Sequence, residues 1–251
     1  MTPLLAFVIG AVVGAIIGSF LANLIIRWPQ GRSVVGGRSM CDHCGTALGP
    51  LDLIPLLSFA IRRGRCAHCR GGIHPLHIWV ELGCAMIGGV ALMLAPGWEG
   101  VGWAALGWGL LTLAVLDWRH FWLPDAITLP LVFLGMTLGV WTTDVTLMDR
   151  VIGAVTGYGA LLTIALGYRA WRGREGLGLG DAKLLAAIGA WFGWQALPFV
   201  LLIASVVALL VVLFSTARGE QLSATTQVPL GTFLCIAAVP GFMLMRVLTQ
   251  G

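Results

Sequence analysis

Apolar runs too long for an ordinary soluble core recur along almost the whole chain. They occupy roughly residues 3–26, 77–95, 101–117, 126–142, 151–168, 183–195, 197–214 and 230–248. A helix needs about 20 mostly apolar residues to cross a bilayer. Only 10% of the 251 residues are charged and 58% are hydrophobic, whereas a soluble domain carries about 25% charged residues. The mean hydropathy of +0.92 points the same way. The sequence therefore predicts an all-α polytopic membrane protein with about eight transmembrane helices. The sixth run is short, so it is expected to be tilted, broken or partly re-entrant. The first has no basic residue before it and exceeds the ~7–15-residue apolar core of a signal peptide. It reads as a retained helix with its N-terminus outside.

Basic residues orient such a chain, because cytoplasmic loops carry an excess of Lys and Arg. With eight spans, Arg27, Arg32, Arg38, Arg62, Arg63, Arg65, Arg70, Arg119, Arg169, Arg172, Arg174, Lys183 and Arg218 fall on one side, and only Arg150 and Arg246 on the other. The crowded side is predicted to be cytoplasmic. The net charge of +4 is then a topology signal, and no nucleic-acid partner is implied. Trp28, Trp79, Trp98, Trp118, Trp122, Trp141 and Trp171 sit near the ends of the runs, where amphipathic rings favour the interface. Gly10, Gly14 and Gly18 lie inside the first run and read as small residues for close helix packing.

Three regions follow: a first helix over 1–26, a loop domain over 27–76, and a membrane-embedded core over 77–251. The loop is too short to build a generous core unaided. It carries two CxxC pairs, Cys41 with Cys44 and Cys66 with Cys69, in the turn-rich segments Cys-Asp-His-Cys-Gly and Cys-Ala-His-Cys-Arg-Gly. Four thiolates at this spacing can close a tetrahedral Zn2+ site, and four leave no open position for water, so its role is structural. A glycine after each knuckle is expected to relieve the tight turn. Two disulfides or a redox motif are the other readings, and a reducing cytoplasmic side argues against stable disulfides. His43 and His68 lie within the knuckles, but two complete pairs need neither. Cys84 and Cys235, in apolar runs, read as small core residues.

Of the 11 acidic residues, Asp42, Asp52, Glu175 and Glu220 fall in cytoplasmic loops, and Glu99, Asp144 and Asp149 in external ones. Glu81, Asp117, Asp125 and Asp181 remain at or near the spans, where an ionisable side chain is costly and marks a functional candidate. Asp117 ends the third run, and Asp181, in Gly178-Leu179-Gly180-Asp181, stands just before the sixth. The topology brings both to the cytoplasmic edge. Two close carboxylates can share a proton, one acting as base toward water and the other as acid toward a carbonyl. Gly178 and Gly180 would permit unusual backbone conformations and close approach by substrate. Capping remains open for Asp181 and for Asp125, which follows Pro124. Glu81 reads as a buried structural acid or as a partner for an arginine. On residues alone, Asp117 precedes Asp125 only because it ends an apolar run.

In this order the motifs resemble those of the type IV prepilin peptidases and their type II secretion counterparts. The resemblance rests on Gly18-Ser19-Phe20-Leu21 through Arg27-Trp28-Pro29, the CxxC pairs around Ile54-Pro55-Leu56-Leu57-Ser58, and Asp117 through Leu123-Pro124-Asp125 to Leu129-Pro130. Gly178 through Leu185 and Val228-Pro229-Leu230-Gly231 complete it. The position of Asn23 and the segment His74 to Leu82 depart from the pattern. The resemblance implies an intramembrane aspartic endopeptidase of the bacterial inner membrane, with Asp117 and Asp181 as the catalytic pair and Asp125 outside it. Its substrates would be prepilins or pseudopilins, cut after their short basic leader at the cytoplasmic face of the lipid bilayer. Many members also N-methylate the new N-terminus with S-adenosylmethionine. The stretch 173–181 is an expected place to hold a locally unwound substrate. Two other classes, an ion- or proton-coupled transporter and a non-catalytic zinc-binding assembly protein, would explain the acids or the cysteines separately.

Overall fold

The computed structural model describes residues 2–34, 40–41, 43–173, 176–218 and 227–250. Arg38, Asp42, Arg174, Glu175, Glu220 and part of the 173–181 stretch lie outside the described residues. Ten α-helices follow one another among those described: α1 Pro3–Arg27, α2 Leu57–Ile61, α3 Leu76–Leu94, α4 Trp98–His120, α5 Asp125–Thr137, α6 Gly139–Thr142, α7 Leu147–Arg172, α8 Leu179–Phe192, α9 Leu197–Ala217 and α10 Leu230–Gln250. No strand occurs among the described residues beyond two isolated bridges, Met40 with Ala47 and Arg65 with Gly72.

Among the described residues, six helical segments are long and apolar enough to cross a membrane: Pro3–Gln30, Leu76–Leu94, Trp98–His120, Leu147–Arg172, Trp194–Ala217 and Leu230–Thr249. The protein is a multi-pass membrane protein. The fourth expected span forms α5, of 13 residues, followed by the single-turn α6, and the sixth forms α8, of 14. At ~1.5 Å per residue α5 and α8 each reach only about 20 Å, short of a hydrocarbon core of ~30 Å. Side chains such as Leu202, Val206, Leu209 and Leu213 of α9 stay exposed, as expected of a face solvated by lipid.

Contacts divide the chain into two compact units, Met1–Thr112 and Leu113–Gly251. In the first, Thr2 caps α1 by accepting from the Leu5 N–H, with Pro3 in the first turn, a residue pair suited to a helix start. α1 then packs on α3 through its small-residue stripe. A Cβ added to Gly10 would lie 2.2 Å from the Gly88 carbonyl oxygen, and one added to Gly14 would lie 2.1 Å from that of Cys84. Close backbone approach replaces the hydrophobic drive that lipid does not supply. Trp108 of α4 donates its indole N–H to the Cys84 carbonyl at 2.9 Å.

In the second unit α8 is the core. Leu184, Leu185, Ala187, Ile188, Ala190, Trp191 and Phe192 are fully buried, so the helix is apolar all round because protein surrounds it. α7 reaches it through glycine: a Cβ on Gly189 would meet the Gly153 carbonyl at 2.2 Å. α8 begins at Leu179, so Asp181 lies inside its first turn rather than before it. It ends at Gly193, whose φ of +77° breaks the helix where a side chain would be strained.

Arg150 of α7 closes the far end of this core. It is fully buried and donates to the carbonyls of Gly135, Gly139, Thr143, Val145, Ala190 and Trp191 and to the Thr143 hydroxyl. The last turns of α5 and α8 thereby gain a cation at their electronegative ends. Arg150 is thus an internal pin, whereas the sequence counted it as a loop charge on the sparse side. Arg150→Met removes a buried donor set from these carbonyls, although Thr143 still donates its hydroxyl to Trp191 and its N–H to Gly139, and is expected to cost at least ~3 kcal/mol. Arg246→Met, which removes an exposed pair with Asp144, should cost under ~1 kcal/mol. Thermal unfolding in detergent compares the two.

Candidate active site

Asp117 lies in the last turns of α4, only 5% exposed. Its Oδ2 accepts the Thr232 backbone N–H at 2.7 Å and lies 3.1 Å from the Thr232 hydroxyl. Thr232 stands in the first turn of α10, where N–H groups have no intrahelical acceptor, so the helix start meets the carboxylate. Asp181 approaches from the first turn of α8. Its own N–H donates to the Gly178 carbonyl at 3.2 Å, and no side-chain cap is made at this helix start, so Asp181 does not serve as the N-cap. Its Oδ1 is buried without a hydrogen-bond partner.

Leu123 joins the three motifs in space. After α4 the chain turns through Phe121, at φ +50°, and Leu123 enters the core at 9% exposure. A Cβ on Gly180 would meet Leu123 Cβ at 2.9 Å, and one on Gly231 would meet Leu123 Cδ1 at 2.7 Å and Asp117 Oδ2 at 3.0 Å. Gly180 is therefore required for space, not for an unusual conformation. Gly178 has φ −73° and ψ 140°, extended backbone open to any residue, which differs from the conformational freedom expected of it.

Asp125 has a different role from either carboxylate. Pro124 takes the N-cap position of α5 and Asp125 follows it without a capping bond. Its oxygens receive Lys183 Nζ at 2.6 and 2.7 Å, tying the start of α5 to α8. Sequence reasoning missed this pair, although Lys183 stands two residues past Asp181. It also missed Thr232, whose only signal was its place directly after Val228-Pro229-Leu230-Gly231. Leu123 left no signal beyond lying within a motif.

In the first unit, the thiols of Cys41, Cys44, Cys66 and Cys69 lie within 4.8 Å of one another. No disulfide links them. Cys41 Sγ and Cys69 Sγ are 3.8 Å apart, the edge length of a tetrahedron with metal–sulfur bonds of ~2.3 Å. The two knuckles repeat one design. Cys41 N–H donates to Thr46 and Gly45 N–H to Cys41; Cys66 N–H donates to Gly71 and Arg70 N–H to Cys66. Gly45 holds φ +68° and Arg70 φ +56° at the equivalent place, so only the first knuckle uses glycine there. The second glycine, Gly71, lies one place later, where a Cβ would meet His43 Cδ2 at 2.8 Å. Hydrogen bonding with the Thr46 hydroxyl pulls the Cys44 thiol down to about 6, favouring the thiolate that binds metal. The four cysteines could hold a metal ion, with neither histidine in the set.

Glu81 of α3 is 6% exposed and accepts the Leu56 N–H at 2.8 Å. Leu56 adopts φ +61°, so the buried acid holds a strained loop rather than an arginine. Beside it lies a cavity of about 380 Å³ lined by Ser19, Asn23, Arg27, His43, Asp52, Arg62 and Glu81 among others, within the ~300–1,000 Å³ of small-molecule sites. Its only sequence trace was Ser19 and Asn23, polar residues in an apolar run.

Residues 12–95 match the bacterial peptidase A24 N-terminal domain, and residues 104–213 match the type IV leader peptidase family. A prepilin leader peptidase/N-methyltransferase of Aeromonas hydrophila is 42% identical over 202 residues, which are 80% of this chain and 69% of the relative. The chain belongs to the type IV leader peptidase family. Proteins of the same description from Burkholderia pseudomallei and Pseudomonas aeruginosa are 40% identical over 198 residues and 36% identical over 201. The aligned region covers 78% of this chain and 64% of the Burkholderia protein, and 79% and 69% for the Pseudomonas pair. No solved structure matches the chain. The two family regions divide the candidate residues: the four cysteines fall in one, and Asp117 and Asp181 in the other.

The glycine contacts carry a direct test. Gly231→Ala forces a methyl group against Leu123 and Asp117 and is expected to cost ~1–3 kcal/mol. Gly159→Ala, where an added Cβ meets nothing within 4 Å, should cost nothing measurable in the same melting experiment.

Proposed function

We propose that this protein is an intramembrane aspartic endopeptidase that removes the basic leader from type IV prepilins or pseudopilins. The observation that carries the reading is that the segments bearing Asp117 and Asp181, from different helices of one unit, converge around Leu123, with Gly180 and Gly231 packed against that side chain and Gly231 against Asp117 as well. One carboxylate oxygen is held by donors, and the other residue keeps a buried oxygen without a partner. Two carboxylates brought together on a substrate would titrate as a pair and retain one proton between them. The ionised member takes a proton from water, whose oxygen attacks the scissile carbonyl carbon. The protonated member gives its proton to the carbonyl oxygen, leaving a neutral tetrahedral diol. Residues 178–181, at the mouth of α8, would border the unwound substrate, with Gly178 and Gly180 presenting little side-chain bulk.

The reading places the pair at the cytoplasmic face of the bacterial inner membrane. The crowding of basic residues on one side of the predicted topology supports this, the more so once Arg150 is removed from the sparse side by its burial. A basic leader would stay on that side while its helix enters the bilayer. Co-expression of a prepilin with Asp117→Asn or Asp181→Asn, in a host lacking other leader peptidases, is expected to reduce cleavage by at least ~10²-fold. Normal cleavage by either variant would refute the assignment and return weight to transport or scaffolding.

The cysteine cluster is proposed to hold structural Zn2+ within a domain over 27–76. Chelation is then expected to unfold this segment and to release one zinc per chain while cleavage persists in part. Immediate loss of cleavage from a folded, metal-free protein would contradict a structural role. The cavity beside Glu81 favours a second activity, methylation of the new N-terminus with S-adenosylmethionine as donor; the relatives are described as leader peptidase/N-methyltransferases. Its volume of about 380 Å³ and its mixed apolar and polar lining, with Ser19, Asn23, Arg27, Asp52 and Glu81 among the polar groups, suit a small-molecule cofactor. Mass spectrometry of the cleaved product reads both activities at once.

A further inference from the structure

Asp117 and Asp181 are alike in chemistry but not in surroundings. Asp117 Oδ2 faces two potential donors of one residue, the Thr232 N–H at 2.7 Å and the Thr232 hydroxyl at 3.1 Å. The shorter distance lies in the ~2.7–2.9 Å range of bonds to a charged acceptor. The hydroxyl has a single proton to donate and a second acceptor in reach, the Ala114 carbonyl at 3.0 Å. A carboxylate attracts it more strongly than a neutral carbonyl does. Asp181 Oδ1, by contrast, is buried with no partner, a poor setting for a negative charge.

We infer that Thr232 is a positioning residue that assigns the roles of the pair, holding Asp117 as the ionised base and leaving the shared proton on Asp181 as the acid. This rests on the aspartic-peptidase reading. In the cleavage step a water O–H bond breaks and its proton passes to Asp117. The water oxygen bonds to the carbonyl carbon, and the proton of Asp181 moves to the carbonyl oxygen. Thr232 touches neither substrate nor water in this scheme. It keeps Asp117 aimed and charged before each turnover, and its hydroxyl can turn to Ala114 once Asp117 has taken its proton.

The test compares Thr232→Val and Thr232→Ser in purified full-length enzyme with a prepilin substrate. Valine preserves shape and backbone N–H but removes the hydroxyl. It is expected to lower kcat about tenfold with KM within about twofold, the loss of one hydrogen bond to a charged group. Serine restores the hydroxyl and is expected to recover most of that loss. Wild-type kcat in Thr232→Val, or equal loss in both variants at unchanged melting temperature, overturns the inference. If Thr232→Val fails to fold, Thr232→Ala against Thr232→Ser gives the same contrast. Asp117→Asn separates the two levels of argument. An inactive Asp117→Asn beside a fully active Thr232→Val sinks only the role of Thr232, whereas an active Asp117→Asn sinks the peptidase reading itself.

Discussion

Backbone meets backbone where Gly153 of α7 faces Gly189 of α8, and much of the second unit depends on that contact. A side chain on either would have to occupy space already filled by the opposing carbonyl, at 2.5 Å from Gly153 and 2.2 Å from Gly189. Gly157 and Gly135 repeat the arrangement against Leu185 and against Ala190 and Trp191. In lipid there is no hydrophobic drive between helices, so dispersion at such close crossings must hold them together. The result is a 14-residue helix too short to span, enclosed by α5, α7, α9 and α10. Its interior end is pinned by Arg150 and its entry presents Asp181.

Enclosure also explains why the site is built from helix starts. An ionisable group at membrane depth needs donors or an unusual protonation state. Unpaired N–H groups at the first turn of α10 supply donors to Asp117 without adding charge. Leu123 is the matching apolar element. It fills the space beside Gly180 and Gly231, so the loop after α4, the entry of α8 and the entry of α10 are positioned by one side chain. The Asp125–Lys183 pair ties α5 to α8 at the same entry. It is more exposed than the aspartate pair, and its strength as a tie comes from bidentate geometry rather than from burial.

The first unit solves a different problem. Its loop leaves apolar residues such as Leu51, Leu53, Leu57 and Ile61 exposed, so polar and sulfur contacts hold it instead. Four thiols converge, and two knuckles repeat one hydrogen-bonding plan. Glu81 anchors the strained Leu56, and Asp52 pairs with Arg62. The cavity beside Glu81 is the consequence of loop segments held by polar contacts around the end of an apolar helix pair.

Hydropathy made the membrane class and the approximate positions of the eight longer helices legible, because the cost of exposing backbone to lipid leaves a compositional trace in each apolar segment. The metal-ligand spacing of the cysteines was equally legible, since a tetrahedral site demands paired ligands on tight turns. The acids were visible as candidates for the same reason they are rare. The choice between them was not a matter of pattern: Asp125, Asp117 and Asp181 all stand at helix ends, and capping was open for two of them. Tertiary structure separated them by their partners, Lys183 for Asp125, Thr232 for Asp117, and none for Asp181 Oδ1. Helix ends in sequence say nothing about which other helix begins beside them, and Arg150 shows the same limit from the other side. As a letter it counts as a loop charge; only the fold surrounds it with the carbonyl ends of α5 and α8.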